Sequence, residues 1–384
     1  MRLTAMYVGA VLGPGVLVLP ALAADAAGPA SVLAWAALLA LSVPIAVSFA
    51  RLGERHRGGV VGFVRIAYGR PAARPVAWWF YLVGVPFGVL GGALVGGRYI
   101  AYGLGGGDPV LIGVVLLAAA FVANYAGVRV SAGAQVLLVG LLAALLAVAV
   151  ACGVPHVSRA DFEPFAPHGW LSVGHAAVVL FFAFSGWEAA STLADEFGDV
   201  RRATRRTLAV VTVLYLGLAV TTAGTTSDVP LADLLERAFG PSARPVTAVA
   251  ATLLTFGAIN TYLAGGARLG GRHGLTGLLV LCALLTAVTL RLHVELDALM
   301  RVASTALAAV TAAGLAAAVK LLRSRTAAFA LGCTALVLAF SGVLLAVPVV
   351  IGAAALVSAR ISARVGARVS ARGGSAAPAG RSSS

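Results

Sequence analysis

Apolar residues do not alternate with polar ones along this chain. They run in blocks of about 18 residues or more that recur from one end to the other, divided by short clusters of Gly, Pro and charged residues. A run of that length with few charges is what a helix needs to cross a hydrocarbon core about 30 Å thick. Dividing the chain at the clusters predicts twelve spans, near 4–26, 31–50, 75–103, 109–126, 135–154, 173–197, 206–225, 245–266, 274–291, 297–319, 326–341 and 343–358. Only Ser341-Gly342 separates the last two, so 326–358 reads either as two helices or as one. The predicted fold class is all-α, a polytopic membrane protein with about 12 transmembrane helices.

The first span is interrupted by Gly13-Pro14-Gly15. Ten helical residues before the break reach about 15 Å, which puts it near the bilayer midplane. Pro14 has no N–H and disfavours helix at the residue before it, while the glycines leave the backbone bare. Freed backbone groups in lipid cost several kcal/mol each unless something satisfies them. A signal peptide ending at Ala21-Leu22-Ala23 and a plain proline kink are the bland alternatives. The sixth span repeats the theme: Phe182-Ala183-Phe184-Ser185-Gly186-Trp187-Glu188 puts a hydroxyl, a glycine and an acid about 12 residues in, again near the midplane. Spans 1 and 6 start from opposite sides of the membrane, so the paired breaks point to an inverted five-plus-five repeat around a central binding site.

A net charge of +14 changes the picture only through its placement. Most of the 28 basic residues fall in alternate loops and in the tails, among them Arg51, Arg55, Arg57, Arg201, Arg202, Arg205, Arg206, Lys320 and Arg323. That is the positive-inside pattern, and it predicts cytoplasmic N- and C-termini rather than a nucleic-acid partner. Arginines at 360, 364, 368 and 372 would line one side of a helix lying on anionic lipid, with 373–384 disordered. Cys152, Cys282 and Cys333 have neither disulfide nor metal spacing.

Glu188 is the one acid buried within a predicted span, away from its ends. It reads either as a protonatable coupling group or as a structural carboxyl bonded to the broken backbone. Asn260, inside the apolar eighth span, wants a partner on a neighbouring helix or a ligand. Arg301 either snorkels outward to Asp297 or Glu295 or serves an outer gate. The Arg51–Arg57 loop with Gly58-Gly59 leads into a short amphipathic stretch ending at Tyr68-Gly69, a solvated loop or a gate element. A short helix over Pro230–Leu235 would cap the outer vestibule.

Taken together, Gly13-Pro14-Gly15-Val16 with Pro20, Gly58-Gly59, Asn124 to Gln135, Phe182 to Glu188 and Asn260 to Arg268 resemble the amino acid/polyamine/organocation transporters over essentially the whole chain. Within that family the sequence looks most like bacterial inner-membrane exporters of methionine and branched-chain amino acids. The resemblance implies a LeuT-like core over 1–325, with repeats at about 3–154 and 173–319, then two peripheral helices over 326–358 and a basic tail over 359–384. It also implies that Gly13 and Gly15 help a half-helix donate N–H groups to the substrate carboxylate. Carbonyls of Phe182 and Ser185 would take the ammonium, with Phe182 closing over the substrate. Pro14, Val16, Phe184, Gly186 and Asn260 would complete the pocket, and Glu188, Trp187 and Arg301 would serve coupling or gating. Pro14 departs from the pattern, because it removes one donor. The lysine that some proton-coupled relatives carry in the fifth span is also absent.

The expectation is a secondary transporter of small neutral, hydrophobic L-amino acids in the bacterial inner membrane, coupled to protons or sodium and working as an exporter. An uptake permease or exchanger, or a membrane sensor that does not transport, are the alternatives. No cofactor, metal or enzyme chemistry is expected, since no span presents paired catalytic acids, a metal cluster or a nucleophile with a base.

Overall fold

The computed structural model describes residues 4, 8–9, 11–127, 132–187, 200–224 and 227–374. Glu188, Arg129, the acidic turn at 195–199 and residues 375–384 lie outside the described residues. The described chain contains helices and no strand. In order these are α1 (Leu19–Ala27), α2 (Ser31–Gly53), α3 (Gly59–Tyr68), α4 (Arg70–Trp78), α5 (Val85–Leu104), α6 (Pro109–Tyr125), α7 (Ala132–Gly153), α8 (Ser172–Phe184), α9 (Val200–Thr221), α10 (Pro230–Phe239), α11 (Ala243–Leu269), α12 (Gly274–Leu292), α13 (Leu296–Leu322), α14 (Arg325–Ala339) and α15 (Ala346–Gly374).

Eight helical segments of the described chain are long and apolar enough to cross a membrane. The remaining predicted spans are shorter for visible reasons. α8 stops at its break, while α6 and α14 run only 17 and 15 residues. The third span begins earlier than its apolar run, at Arg70, and contains a π turn over Trp79–Gly84 that joins α4 to α5. Residues 326–358 form two helices, because Gly342 takes the left-handed turn (φ +55°) that a side chain would resist. α15 then continues to Gly374 without a break at 358. Its 29 residues span about 43 Å, more than a hydrocarbon core needs.

Both expected breaks are present. Leu12 still donates to Val8, but Gly13 is extended (φ −81°, ψ 171°) and Pro14–Leu17 form a single 3-10 turn before α1 begins. Pro14 sits at the first position of that turn, where its missing N–H removes nothing. α8 ends the same way: Ser185 is extended (φ −78°, ψ 118°) and Gly186 has φ +148°, a region open mainly to glycine. α1 packs along α8, and α2 and α13 flank the pair. α5, α6 and α11 form a second group. There a Cβ on Gly97 would collide with the Pro109 carbonyl and the Gly113 backbone, so only glycine permits that approach of α5 and α6.

Carbonyls freed by the two breaks are met by two fully buried tyrosines. The Tyr215 hydroxyl, from α9, donates to Val11 O at 3.1 Å and lies 3.4 Å from Ala183 O, bridging the ends of both half-helices. The Tyr99 hydroxyl, from α5, donates to Leu17 O at 2.8 Å, below the 3-10 turn. Trp35 and Phe184 hold the Tyr215 ring, with centroids 5.1 and 5.5 Å away. Removing the Tyr215 hydroxyl would leave Val11 O with the Gly13 N–H at 2.9 Å and take this donor from Ala183 O, and a net intramolecular hydrogen bond contributes about 1 kcal/mol. Tyr215→Phe should therefore lower the stability of the detergent-solubilised protein by about 1 kcal/mol or more, read as a drop in thermal unfolding midpoint. An unchanged midpoint would show that the bridge contributes nothing.

Candidate functional site

A cavity of about 540 Å³ begins at the two breaks. Gly13 lines it from the first break, and Phe182, Ser185 and Gly186 from the second. Leu138, Val139 and Leu142 of α7 form one wall, and Leu307 and Val310 of α13 another. The α11 stripe Leu254, Gly257, Ala258, Thr261, Tyr262, Gly265 and Leu269 repeats at helical spacing and passes from buried to exposed. The mouth therefore lies beside Gly265, Leu269 and the exposed Gly58 that precedes α3.

Among the described residues, no Asp, Glu, Lys, Arg or His side chain lines the cavity. Its polar groups are backbone and the hydroxyls of Ser185, Thr261 and Tyr262. Ser185 Oγ donates to Phe182 O at 2.7 Å and Thr261 Oγ1 to Gly257 O at 2.9 Å. Each of these hydroxyls has spent its hydrogen and presents lone pairs to the cavity. Phe182 O, an expected ammonium acceptor, already receives both Ser185 Oγ and, at 3.3 Å, Ser185 N–H, so both of its lone pairs are engaged.

Other expected residues fall elsewhere. Gly15 and Val16 are buried beside the cavity rather than on its wall, and a Cβ on Gly15 would come within 2.7 Å of the Phe182 ring. That ring lies between Gly15 and Gly88, where a Cβ would stand 3.3 Å from its other edge. Three more lie off the cavity wall. Phe184 points away from the cavity into the Trp35–Tyr215 cluster, because it lies two residues, about 200°, around α8 from Phe182. Asn260 is absent from the lining and accepts a hydrogen bond from the Asn124 amide of α6. Trp187 is fully buried outside the lining.

The far end of the molecule is laced shut. Arg301 Nε pairs with Asp297 at 2.6 Å, and its NH1 reaches His175 O at 3.1 Å, tying α13 to α8. Arg98 meets Asp228 at 2.8 Å. Glu236 of α10 accepts from Arg244 of α11 at 2.8 Å and from Tyr102 of α5. Those two hydrogen bonds, Arg244 first, hold the Glu236 carboxyl below the usual carboxylate range. The cavity thus opens toward α3 and is closed toward α10.

Sequence reasoning did not single out Tyr215, Tyr99 or the α7 wall. All are apolar or aromatic residues inside apolar helices, and pattern alone does not say which of their faces turns inward.

The profile of the amino acid permease family matches residues 1–351. The chain is 33% identical to the amino acid permease YecA of Bacillus subtilis over 91% of its own length and 92% of that protein's. It is 28% identical to the L-methionine/branched-chain amino acid exporter YjeH of Escherichia coli, over 76% and 78% of the two chains. The crystal structure of a manganese transporter from Eremococcus coleocola superposes with a TM-score of 0.59 at 12% identity, covering 93% of this chain and 92% of the other, a likeness of fold alone. The family profile along most of the chain and the 33% identity to YecA over nearly the whole of both proteins make this chain a member of the amino acid permease family, within the amino acid/polyamine/organocation transporters.

Proposed function

We propose that the protein is a secondary transporter of neutral, apolar L-amino acids of the methionine and leucine type, working by alternating access as an exporter in the bacterial inner membrane. The observation that carries this is the cavity itself. It starts at both broken helices, presents backbone groups and hydroxyl lone pairs there, and is otherwise walled by apolar side chains. A zwitterion needs donors for its carboxylate and acceptors for its ammonium, and the N-terminal start of a helix supplies the first. Pro14 has no donor and Val16 N–H already bonds Gly13 O at 3.3 Å, so Gly15 N–H is the donor this version of the cradle offers. A cationic or anionic substrate side chain would find no opposite charge on the described walls.

In this reading α3 and the cavity mouth lie on the cytoplasmic side with both termini, and the α10 closure lies outside, a sidedness that the basic loops support. The arginines at 360, 364, 368 and 372 give the chain an affinity for anionic lipid. Glu188 stands two residues beyond Gly186 and is the proton-coupling group, with sodium as the competing ion. The likeness to YjeH supports the substrate type and the direction of export. No covalent step is needed anywhere in this cycle.

Purified protein in liposomes should move labelled leucine and methionine. Failure to move any neutral amino acid would sink the proposal, and binding without flux would favour a sensor. Gly15→Leu should abolish flux, since the new side chain would enter the space of the Phe182 ring and Leu19; retained flux would remove Gly15 from the site. Glu188→Gln should flatten the pH dependence of flux, whereas an unchanged pH profile that follows an imposed sodium gradient would transfer coupling to sodium.

A further inference from the structure

Three aromatic residues in a row, Trp79, Phe80 and Tyr81, occupy the π turn between α4 and α5. The turn is closed by Val85 N–H donating to Phe80 O, five residues back, in place of the usual four. Such turns hold one residue more than an α-helix and are concentrated at functional sites. The outer two aromatics are pinned in different directions. Trp79 Nε1 donates to Pro348 O of α15 at 2.7 Å, and the Tyr81 hydroxyl donates to Gly274 O of α12 at 2.8 Å. Each ring also rests where a glycine leaves room: a Cβ on Gly352 would stand 3.1 Å from the Trp79 ring, and one on Gly270 2.7 Å from Tyr81.

With its neighbours held outward, Phe80 turns to the cavity and stacks on Tyr262 of α11, centroids 6.3 Å apart and planes 23° from parallel. Tyr262 lies about one helical turn toward the mouth from Gly257 and Ala258. The pair therefore presents a wide apolar surface between the breaks and the mouth. A substrate with its carboxylate at Gly15 N–H, just behind the Gly13 wall, and its ammonium at Ser185 would project its side chain toward that surface.

We propose that the Phe80–Tyr262 stack is the side-chain selector of the transporter, a wall that favours long apolar and thioether side chains over short ones, and that Trp79 and Tyr81 are the positioning residues that aim it. This rests on the transport reading above. Aromatic faces add contact energy to aliphatic and thioether groups, and alanine is too short to share it. The turn fixes Phe80 so that this contact needs no rearrangement when the substrate arrives.

The experiment compares kcat/KM for leucine, methionine and alanine in proteoliposomes. Phe80→Ala should reduce the leucine-to-alanine and methionine-to-alanine ratios by about fivefold. Phe80→Leu keeps the volume nearer to native and should shift the ratios in the same direction, which covers the case in which the alanine variant fails to fold. Tyr81→Phe, which removes only the bond to Gly274, should lower the ratio without lowering alanine flux in proportion. Ratios unchanged in both Phe80 variants, or leucine and alanine falling together, would overturn the selector while leaving the transport reading intact. A native protein that moves no amino acid would overturn both.

Discussion

Backbone groups that lose their helical partners in the middle of a membrane must find others, and this molecule is arranged around meeting that demand. Two half-helices end at Leu12 and Phe184, and a third element, the Pro14–Leu17 turn, starts again between them and α1. Water is not at hand to satisfy these ends as it would be on a soluble protein. Some of the groups are met permanently, by Tyr215, Tyr99 and Ser185. Others face a cavity without charged side chains among the described residues, where a small polar molecule can take their place. The division between groups satisfied by protein and groups left to a visitor is what turns a structural problem into a binding site.

That division also explains the placement of the aromatic residues. Tyr215 needs both a rigid ring position and a free hydroxyl, and Trp35 and Phe184 supply the first by edge-on packing at 5.1 and 5.5 Å. Phe182, two residues before Phe184, has the opposite assignment and closes one end of the cavity. Neighbouring residues on one helix thus separate the support of the break from its use. On the far side, the lacing through Arg98, Arg301 and Glu236 joins α10, α11, α13 and α8, so closure there is distributed over several exposed or half-exposed contacts. Such pairs are individually weak, which suits contacts that must be remade.

Much of this was legible in the residues. Both breaks announced themselves, because Gly-Pro-Gly and Ser-Gly are helix-breaking residues set in the middle of otherwise apolar helices. Ser341-Gly342 similarly marks the turn before α15, α3 stands at the amphipathic stretch that ends at Tyr68-Gly69, and α10 at the short helix expected over Pro230–Leu235. What could not be read was direction around a helix axis. Asn260 showed that it wanted a partner, but only the structure shows that Asn124 is that partner. Phe184 and Phe182 are equivalent by composition and differ by about 200° of rotation. The π turn left no periodic signature, since three consecutive aromatics fit a helix of either pitch.

The Phe182 ring is held on two opposite edges by positions that lack a Cβ, Gly15 on the first broken helix and Gly88 on α5. Three residues from three separate parts of the chain therefore share one volume. A change at any one of them alone leaves either an overlap or a void, so the three positions form a single packing unit and the costs of changing them do not add. The cradle is in this sense a three-body object, in which the size of one ring sets what two distant backbones can carry.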